Sequence, residues 1–335
     1  MLVVIALGRA ALLDPGENPD ADRQRSHIKA AAAAVAGIAR HHEVVLTHGS
    51  APQVGLLGVQ SATYPSVDEY PLDLLEAEAE GLVGYLLQQA LANQLREKEV
   101  VTLLTQVVVD PADRAIASPA KRIGPSLAEV DAVRLARDRR WFVAAEEGRF
   151  RRVVSSPEPL AIVELPTIKR LIDAGVVVVC AGGGGIPVAL DADGALRGVA
   201  ALIDKDLTAA LLATLVDADV LLLLTDVPAV VAERGSAFAR SIGQASPTEL
   251  RALDLDPATM APKVMAACRF VEQTGRRAAI GTITDAEAIL AGTAGTQVAP
   301  DPGASHHYSS RFGAGLLATL WSRHGEEASG SVSDF

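Results

Sequence analysis

Short aliphatic and β-branched runs recur along this chain, and each is followed by a stretch with helical spacing. Strands that alternate with helices in this way pair in parallel, and helices then cover both faces of the sheet. The pattern therefore predicts an α/β fold around a mostly parallel sheet. The predicted strands span residues 3–7, 43–47, 99–109, 176–180, 220–225 and 278–280, and the predicted helices span residues 26–41, 72–95, 168–174, 205–216 and 262–274.

Two segments interrupt this alternation. Residues 115–159 contain four prolines and the two-sided run Trp141-Phe142-Val143-Ala144, which is typical of an inserted flap or small subdomain. Residues 300–335 are rich in Gly, Ser and His, with one short apolar helix predicted near residues 316–321. We therefore expect one domain over residues 1–299, with the flap inserted, and a C-terminal appendage.

The composition narrows the class of protein. Apolar residues make up 49% of the 335 residues, charged residues 21% and aromatics only 4%, as expected of a folded protein with an aliphatic core. A net charge of -11 argues against a general role in nucleic-acid binding. The two cysteines, Cys180 and Cys268, cannot form a disulfide framework and suit a reducing, cytoplasmic setting. We expect no membrane span, because no uncharged segment is long enough.

Glycine-rich turns follow three of the predicted strands. The strand over residues 176–180 leads into Gly182–Gly185, and the first two strands lead into Gly8-Arg9-Ala10 and Gly49-Ser50-Ala51. Ligands of parallel α/β sheets sit at the carboxyl ends of the strands, and glycine turns let backbone N–H groups face an anion. A flexible loop is the alternative. No Walker A motif is present, and Pro187 occupies the third glycine position of the dinucleotide pattern.

Three lysines have surroundings that suit phosphate binding. Lys205 stands between Asp204 and Asp206 at a helix start, where either aspartate could cap the helix. Lys263 also begins a helix, a position that the helix dipole disfavours for a cation unless an anion lies nearby. Lys121 lies in the flap. Phosphoryl transfer requires positioning and positive charge, which such lysines would supply, although each alone could be an exposed surface residue.

The ordered set of motifs resembles the carbamate kinases of the amino-acid kinase family over about residues 1–298. The motifs that carry the resemblance are Thr47-His48-Gly49 with 52–55, and then 84–91, 105–111, 121–125, 151–157, 182–188, 203–207, 224–227, 262–264 and 292–296.

The resemblance implies an open eight-stranded α/β/α sandwich, usually homodimeric, that transfers a phosphoryl group between ATP and carbamate with Mg²⁺. It implies that Lys121, Lys205 and Lys263 neutralise the phosphates and that Asp204 orients them. No residue is expected to bind the metal directly. The acceptor side would consist of Gly8, Arg9, Ala10, Gly49, Ser50, Ala51, Gly182 and Gly183. The nucleotide side would consist of Gly184, Gly185, Thr225, Asp226, Val227 and Met260.

Three loops depart from the family pattern. Gly-Gly-Asn is replaced by Gly8-Arg9-Ala10, Gly-Asn-Gly by Gly49-Ser50-Ala51, and the glycine of Met-Gly-Pro-Lys by Ala261. An alanine forced into a left-handed conformation would cost roughly 1–2 kcal/mol. Three hypotheses follow: a working carbamate kinase with rearranged loops, a kinase of another small carboxylate that pairs with Arg9, or a non-catalytic nucleotide-binding relative.

Overall fold

The computed structural model describes residues 1–9, 12–13, 20–63, 68–146, 148–233, 239–257 and 259–301. The strands are β1 (Leu2–Leu7), β2 (Glu43–His48), β3 (Val100–Thr102), β4 (Gln106–Val109), β5 (Lys121–Leu127), β6 (Phe142–Glu146), β7 (Arg149–Val154), β8 (Pro159–Ile162), β9 (Val177–Val179), β10 (Ile186–Leu190), β11 (Leu196–Gly198), β12 (Val220–Thr225), β13 (Val231–Ala232), β14 (Arg240–Ser241), β15 (Gln244–Ala245), β16 (Arg277–Thr282) and β17 (Thr296–Val298). The helices are α1 (Ala21–Ala39), α2 (Ala51–Thr63), α3 (Leu72–Gln94), α4 (Arg114–Ala117), α5 (Glu129–Arg139), α6 (Leu165–Asp173), α7 (Lys205–Leu215), α8 (Pro247–Arg251), α9 (Ala261–Thr274) and α10 (Ala286–Leu290).

The central sheet has eight strands in the order β15-β17-β16-β12-β1-β2-β9-β3. β1 lies near the middle and pairs in parallel with β2 on one side and β12 on the other. β16 and β17 pair antiparallel, at one end of a sheet whose other pairs are parallel. The predicted mostly parallel sheet of eight strands is confirmed.

Helices cover both faces of this sheet. Successive side chains of a strand point to opposite faces. Val3, Ile5 and Leu7 of β1 accordingly pack with the apolar residues of α1, α3 and α10, whereas Val4 and Ala6 pack with those of α6, α7 and α9. All of these β1 side chains are fully buried. The two separate cores are those of a three-layer α/β/α sandwich, as predicted.

The single long strand predicted over residues 99–109 is wrong. The chain forms β3 at the edge of the central sheet and then β4 in a second sheet of order β11-β10-β4-β8. Between them, the N–H of Thr105 donates to the Glu80 carboxylate at 3.1 Å, and that of Gln106 donates to Glu164 at 2.7 Å. Because carboxylates take these two donors, the ladder of the central sheet ends here and the chain changes sheets.

The segment predicted as a flap contains an antiparallel sheet of order β5-β7-β6 together with α5. This sheet packs on α2, a helix that the sequence analysis did not predict, through a cluster that includes Val54, Ile123 and Val154. Gly55 of α2 and Gly124 of β5 lie so close that a Cβ on Gly55 would stand 1.9 Å from the Cα of Gly124. This three-stranded sheet therefore packs closely on α2.

Two further predictions concern the ends and surroundings of the fold. The appendage predicted from residue 300, including its short helix, lies outside the described residues beyond Asp301. Within the described parts of the chain, no helix combines the length and the apolar character that a membrane span requires.

Candidate active site

The loops that follow β1, β2, β9 and β12 meet at one edge of the sheet, because these strands are parallel neighbours. The N–H of Gly8 donates to Leu224 O at 2.7 Å, and that of Gly49 donates to Leu7 O at 3.1 Å, so each loop is tied to the adjacent strand. A Cβ on Gly8 would stand only 2.8 Å from Leu224 O. The first loop therefore needs a glycine at this position for close packing.

The glycine turn after β9 is a tightly bonded structure. Gly182 donates its N–H to the Glu80 carboxylate at 2.9 Å, Gly184 donates to Ala181 O, and Gly185 donates to Gly182 O. Among the described residues, nothing accepts from the N–H of Gly183. Gly183 has φ +65° and Gly185 has φ +88°, so both use the conformational freedom of glycine. One N–H of the four, rather than all of them, is available to an anion.

Side chains from β2, α3, α7 and the loop after β3 hold this turn in place. Thr47 donates to Ala181 O at 2.7 Å, and the hydroxyl of Thr105 accepts from the N–H of Ala181 at 2.9 Å. Thr208 of α7 donates to Gly184 O at 2.9 Å. With Glu80 on α3 also bonded to the turn, the backbone here is positioned from both sides of the sheet. Such a site needs little reorganisation when it binds a ligand.

Asp206 binds two of the three predicted lysines. Its Oδ1 lies 2.5 Å from Lys205 Nζ, and its Oδ2 lies 2.8 Å from Lys263 Nζ. The three side chains are 5–13% exposed, so the cluster is largely shielded from water. Lys263 stands near the start of α9, where the dipole opposes a cation, and the Asp206 carboxylate provides the compensating charge.

Asp204 places the third lysine. It caps α7 by accepting from the N–H groups of Asp206 and Leu207, and its other oxygen lies 3.1 Å from Lys121 Nζ. Lys121 begins β5, so this ion pair joins the flap to the central domain. The resemblance assigned the orientation of the lysines to Asp204 alone, whereas the contacts divide that task between Asp204 and Asp206.

The charged groups of this cluster shift one another's pKa values. Burial opposes ionisation of Asp206, but Lys205 and Lys263 outweigh it and hold the pKa of this carboxyl group well below its usual range. Burial lowers the pKa of Lys205, with Asp206 offsetting part of the effect, whereas for Lys263 the nearby Asp206 wins and the pKa is raised. Three ammonium groups face two carboxylates, which leaves an excess of positive charge suited to an anionic ligand.

The residues predicted for the nucleotide side lie at the end of β12 and the start of α9. Thr225 is buried and donates to the Asp226 carboxylate at 3.0 Å, while Asp226 itself is exposed. Asp226 adds to the negative potential at Lys263. Val227 follows in the same loop, and Met260 immediately precedes α9. Asp226 and Met260 thus lie close to Lys263.

The residues that depart from the family pattern have diverse positions. Arg9 is exposed, Ala51 and Ala261 each begin a helix, and Ser50 is buried and donates to Glu76 at 2.6 Å. None of these four has a positive φ, so the strain considered for left-handed alanine does not arise. Ala10 lies outside the described residues.

Comparisons with known proteins agree with this geometry. The profile of the amino acid kinase family matches residues 1–282. The chain belongs to the amino acid kinase family. It is 44% identical to the carbamate kinase of Haemophilus influenzae over 299 residues, covering 89% of this chain and 96% of that protein. It is 46% identical to the carbamate kinase of Rhizobium meliloti over 299 residues, covering 88% of this chain and 92% of that one.

Solved structures give the same result. The carbamate kinase of Giardia lamblia bound to AMP-PNP superposes with a TM-score of 0.82 at 36% identity, covering 90% of this chain and 98% of that one. The same Giardia lamblia enzyme bound to citric acid superposes with a TM-score of 0.83 at 37% identity, with the same coverage of both chains. The central sheet and its helices are therefore those of this family.

This amino acid kinase also contains three buried polar residues next to the predicted site, two of which, Glu76 and Glu80, were not predicted. His48 is fully buried with Nδ1 3.0 Å from Gly49 O, and burial lowers its pKa to about 4, so the imidazole is neutral. Glu76 and Glu80 are buried beneath the glycine turn. Two carboxylates four residues apart on the apolar face of a helix were the available signal.

Proposed function

We propose that this protein transfers a phosphoryl group reversibly between ATP and carbamate, giving ADP and carbamoyl phosphate. The observation that carries the proposal is the lysine cluster: Lys121, Lys205 and Lys263 come from three elements and are held by two aspartates at the carboxyl edge of the sheet. The 40–46% identity to carbamate kinases over nearly their whole length favours carbamate as the acceptor.

The cluster suits the chemistry of this transfer. An oxygen of carbamate attacks the γ-phosphorus of ATP, a new O–P bond forms, and the bond from phosphorus to the β–γ bridging oxygen breaks as ADP leaves. Negative charge spreads over the transferred group, and preorganised cations nearby stabilise it. Lys205 and Lys263 would contact that group, and Lys121 would approach it from the flap. Asp204 and Asp206 would keep the ammonium groups in place.

Magnesium fits this site as part of a nucleotide complex. The described residues contain no group of three or more His, Cys, Asp or Glu side chains arranged to hold a metal ion. Asp204 and Asp206 already bind lysines. Mg²⁺ commonly binds through substrate phosphates and water, and it would there neutralise phosphate charge. We therefore infer that Mg²⁺ enters with ATP or ADP, beside Thr225–Val227, Met260 and the Gly184–Gly185 backbone.

The acceptor would sit between the loops after β1, β2 and β9. Gly49 lies beside Lys205, since a Cβ on this glycine would stand 3.8 Å from Lys205 Cε. Arg9, Ser50, Ala51, Gly182 and Gly183 would border the same space. A different small carboxylate that pairs with Arg9 is the second candidate, and it rests on the exposure of that single side chain.

We infer that two copies of the chain form a homodimer, and that residues 1–299 with the 115–159 flap act as the kinase unit. Leu82 and Tyr85 on α3 and Leu104 in the loop after edge strand β3 are 47–53% exposed. Exposed apolar side chains beside a sheet edge are typical of an interface. Cys180 and Cys268 are both free and buried, which suits a reducing cytoplasm.

One assay tests the reaction. Purified protein receives Mg-ADP and carbamoyl phosphate, and ATP formation is followed with time. We expect ATP to form. A panel of small carboxylates with Mg-ATP runs in parallel, and ADP release with one of them in the absence of any ATP formation from carbamoyl phosphate would replace carbamate by that acceptor. No turnover in either direction would overturn the proposal.

A further inference from the structure

A buried acidic pair lies directly beneath the glycine turn and the loop after β2. Glu76 and Glu80 are 1% and 0% exposed and stand one helical turn apart on α3. Glu80 has a clear structural task, because it accepts from the N–H groups of Gly182 and Thr105. No backbone N–H of the described residues donates to the Glu76 carboxylate. Its Oε1 accepts from the Ser50 hydroxyl at 2.6 Å, and its buried Oε2 has no hydrogen-bond partner among the described residues.

Glu76 touches the acceptor side of the site through two neighbours. Ser50 follows Gly49, the residue beside Lys205. A Cβ on Gly183 would stand 1.7 Å from Glu76 Oε1 and 2.1 Å from Ser50 Oγ, so both oxygens pack against the Cα of Gly183. Gly183 is also the glycine whose N–H remains available in the turn. Glu76 thus supports the two loops between which a small anion would bind.

The neighbours of Glu76 supply little positive charge to compensate an ionised carboxylate. Burial raises the pKa of Glu76 to about 8, and the Ser50 hydrogen bond and the charge of Lys121 offset only part of that effect. Glu80, on the same helix, is also shifted upward in pKa by burial and by the proximity of Glu76. His48, which faces Gly182, is neutral. At neutral pH the uncharged form of Glu76 is therefore favoured.

We propose that Glu76 is a positioning residue for the acceptor: as a neutral acid it holds Ser50 and Gly183 in place for a small anion, and its ionisation weakens binding of that anion. The inference rests on the proposed function, because carbamoyl phosphate is the anion concerned. An ionised Glu76 would place a buried negative charge beside Ser50 and Gly183. In such surroundings charge repulsion is strong, since the effective dielectric constant is low.

The test is the pH dependence of KM for carbamoyl phosphate at saturating Mg-ADP. We expect the wild-type KM to rise about tenfold between about pH 6.5 and about pH 9.5. In Glu76→Gln, which keeps an oxygen for Ser50 but cannot ionise, the same ratio should stay below about twofold. Because each protein is compared with itself as the ratio of KM at the two pH values, any loss of affinity that the substitution causes at both pH values cancels. Lys205, whose pKa burial lowers, titrates in both proteins, so its contribution is shared.

Two further variants identify the titrating group. Ser50→Ala removes a hydrogen bond that lowers the pKa of Glu76, so the pH at which KM rises should move upward. If Glu76→Gln fails to fold, this shift carries the test, and an unmoved profile in Ser50→Ala contradicts the inference. Glu80→Gln should retain the rise. A rise abolished by Glu80→Gln and kept by Glu76→Gln would transfer the effect to Glu80 and overturn the assignment.

The outcomes separate the inference from the proposed function. ATP formation with a KM that is flat across the pH range overturns the role of Glu76 and leaves the carbamate kinase reaction intact. If no ATP forms, the proposed reaction fails, and calorimetric titration with carbamoyl phosphate at the same two pH values decides the inference by itself. Affinity that falls with pH in the wild type but not in Glu76→Gln supports it, whereas absent or pH-independent binding refutes it.

Discussion

Asp206 is the residue on which two of the three lysines depend. Asp206→Asn keeps the shape of the side chain but leaves Lys205 and Lys263 without a shared counter-charge. We expect kcat for ATP formation to fall by about 10²–10³-fold. We also expect unfolding to become easier by about 3–5 kcal/mol, because a buried ion cluster loses its carboxylate. Steady-state kinetics and urea denaturation measure the two effects.

A matched control is Asp131→Asn on α5, where the half-exposed carboxylate pairs with Arg134 at the surface. This change should alter stability by no more than about 0.5 kcal/mol and leave kcat unchanged. An Asp206→Asn protein that turned over at the wild-type rate would show that the cluster is not where transfer occurs.

The Asp206 carboxylate also makes the stability of the protein depend on pH in the acidic range. Lys205 and Lys263 outweigh burial and lower the pKa of Asp206 in the folded chain, so folding favours its ionised form. That contribution is complete above the ordinary carboxyl pKa of about 4 and is lost as pH falls toward the folded value. Stability measured by urea denaturation should fall below about pH 4, and less steeply in Asp206→Asn. Parallel curves for the two proteins would contradict this origin.

Glu76 produces the opposite dependence. Its pKa is raised from 4.5 to about 8 in the folded chain, mainly by burial, so the unfolded chain binds fewer protons between these values. Stability should therefore fall as pH rises across that interval, by about 1.4 kcal/mol per pH unit at most. Glu76→Gln escapes this loss. The stability of the variant relative to wild type should grow from pH 4.5 to about pH 8 and then level off. If the difference in stability between variant and wild type does not change with pH, the pKa of Glu76 is not raised by folding.

At the scale of elements, the packing of the flap on α2 depends on the close contact of Gly55 with Gly124. Gly124 of β5 and Gly148 both have positive φ, at +71° and +77°, but only Gly124 packs against Gly55. Alanine at either position should cost about 1–2 kcal/mol of backbone strain. Gly124→Ala should cost about 1–3 kcal/mol more, because its Cβ would stand 2.9 Å from the Cα of Gly55.

Lys121 lies three residues before Gly124 on β5, so Gly124→Ala should also lower kcat, while Gly148→Ala should leave it unchanged. Denaturation curves and kinetics of the two variants provide the comparison. If the two substitutions change the free energy of unfolding and kcat equally, the contact between Gly55 and Gly124 does not position the flap.

The sequence predicted the helices and strands that are determined by the residue pattern within a single segment. The strand predicted over residues 220–225 coincides with β12, and the helix predicted over residues 72–95 is α3 to within one residue. Apolar periodicity determines both. The break between β3 and β4 could not be predicted, because it depends on two distant carboxylates, those of Glu80 and Glu164, that take the N–H groups of Thr105 and Gln106.

The candidate site also combines features that the sequence predicts with contacts that it does not. Glycine turns after strands and lysines at helix starts identified its outline from sequence, since each has a local signature. The pairing of Asp206 with Lys263 joins residues 57 positions apart, and that of Ser50 with Glu76 joins residues 26 apart. Such contacts exist only once the sheet has brought the elements together, so no pattern within one segment contains them.

At the scale of the whole molecule, the exposed face formed by Leu82, Tyr85 and Leu104 should determine assembly. Leu82→Arg places a charge on that face, and burying an unpaired charge is costly. We expect the wild type to be a dimer and the variant a monomer by light scattering coupled to size exclusion. Phe142→Ser, on the flap and 64% exposed, is the control and should remain dimeric. A Leu82→Arg dimer would exclude this face.

The central claim is that the lysine cluster transfers a phosphoryl group to and from carbamate. The most direct measurement is the rate of ATP formation from Mg-ADP and carbamoyl phosphate in the wild type and in Lys205→Met, which keeps the length of the side chain and leaves Asp206 paired with Lys263. We predict turnover in the wild type and a loss of at least about 10²-fold in the folded variant. Equal turnover in the two proteins, with circular dichroism confirming that both are folded, would contradict the account.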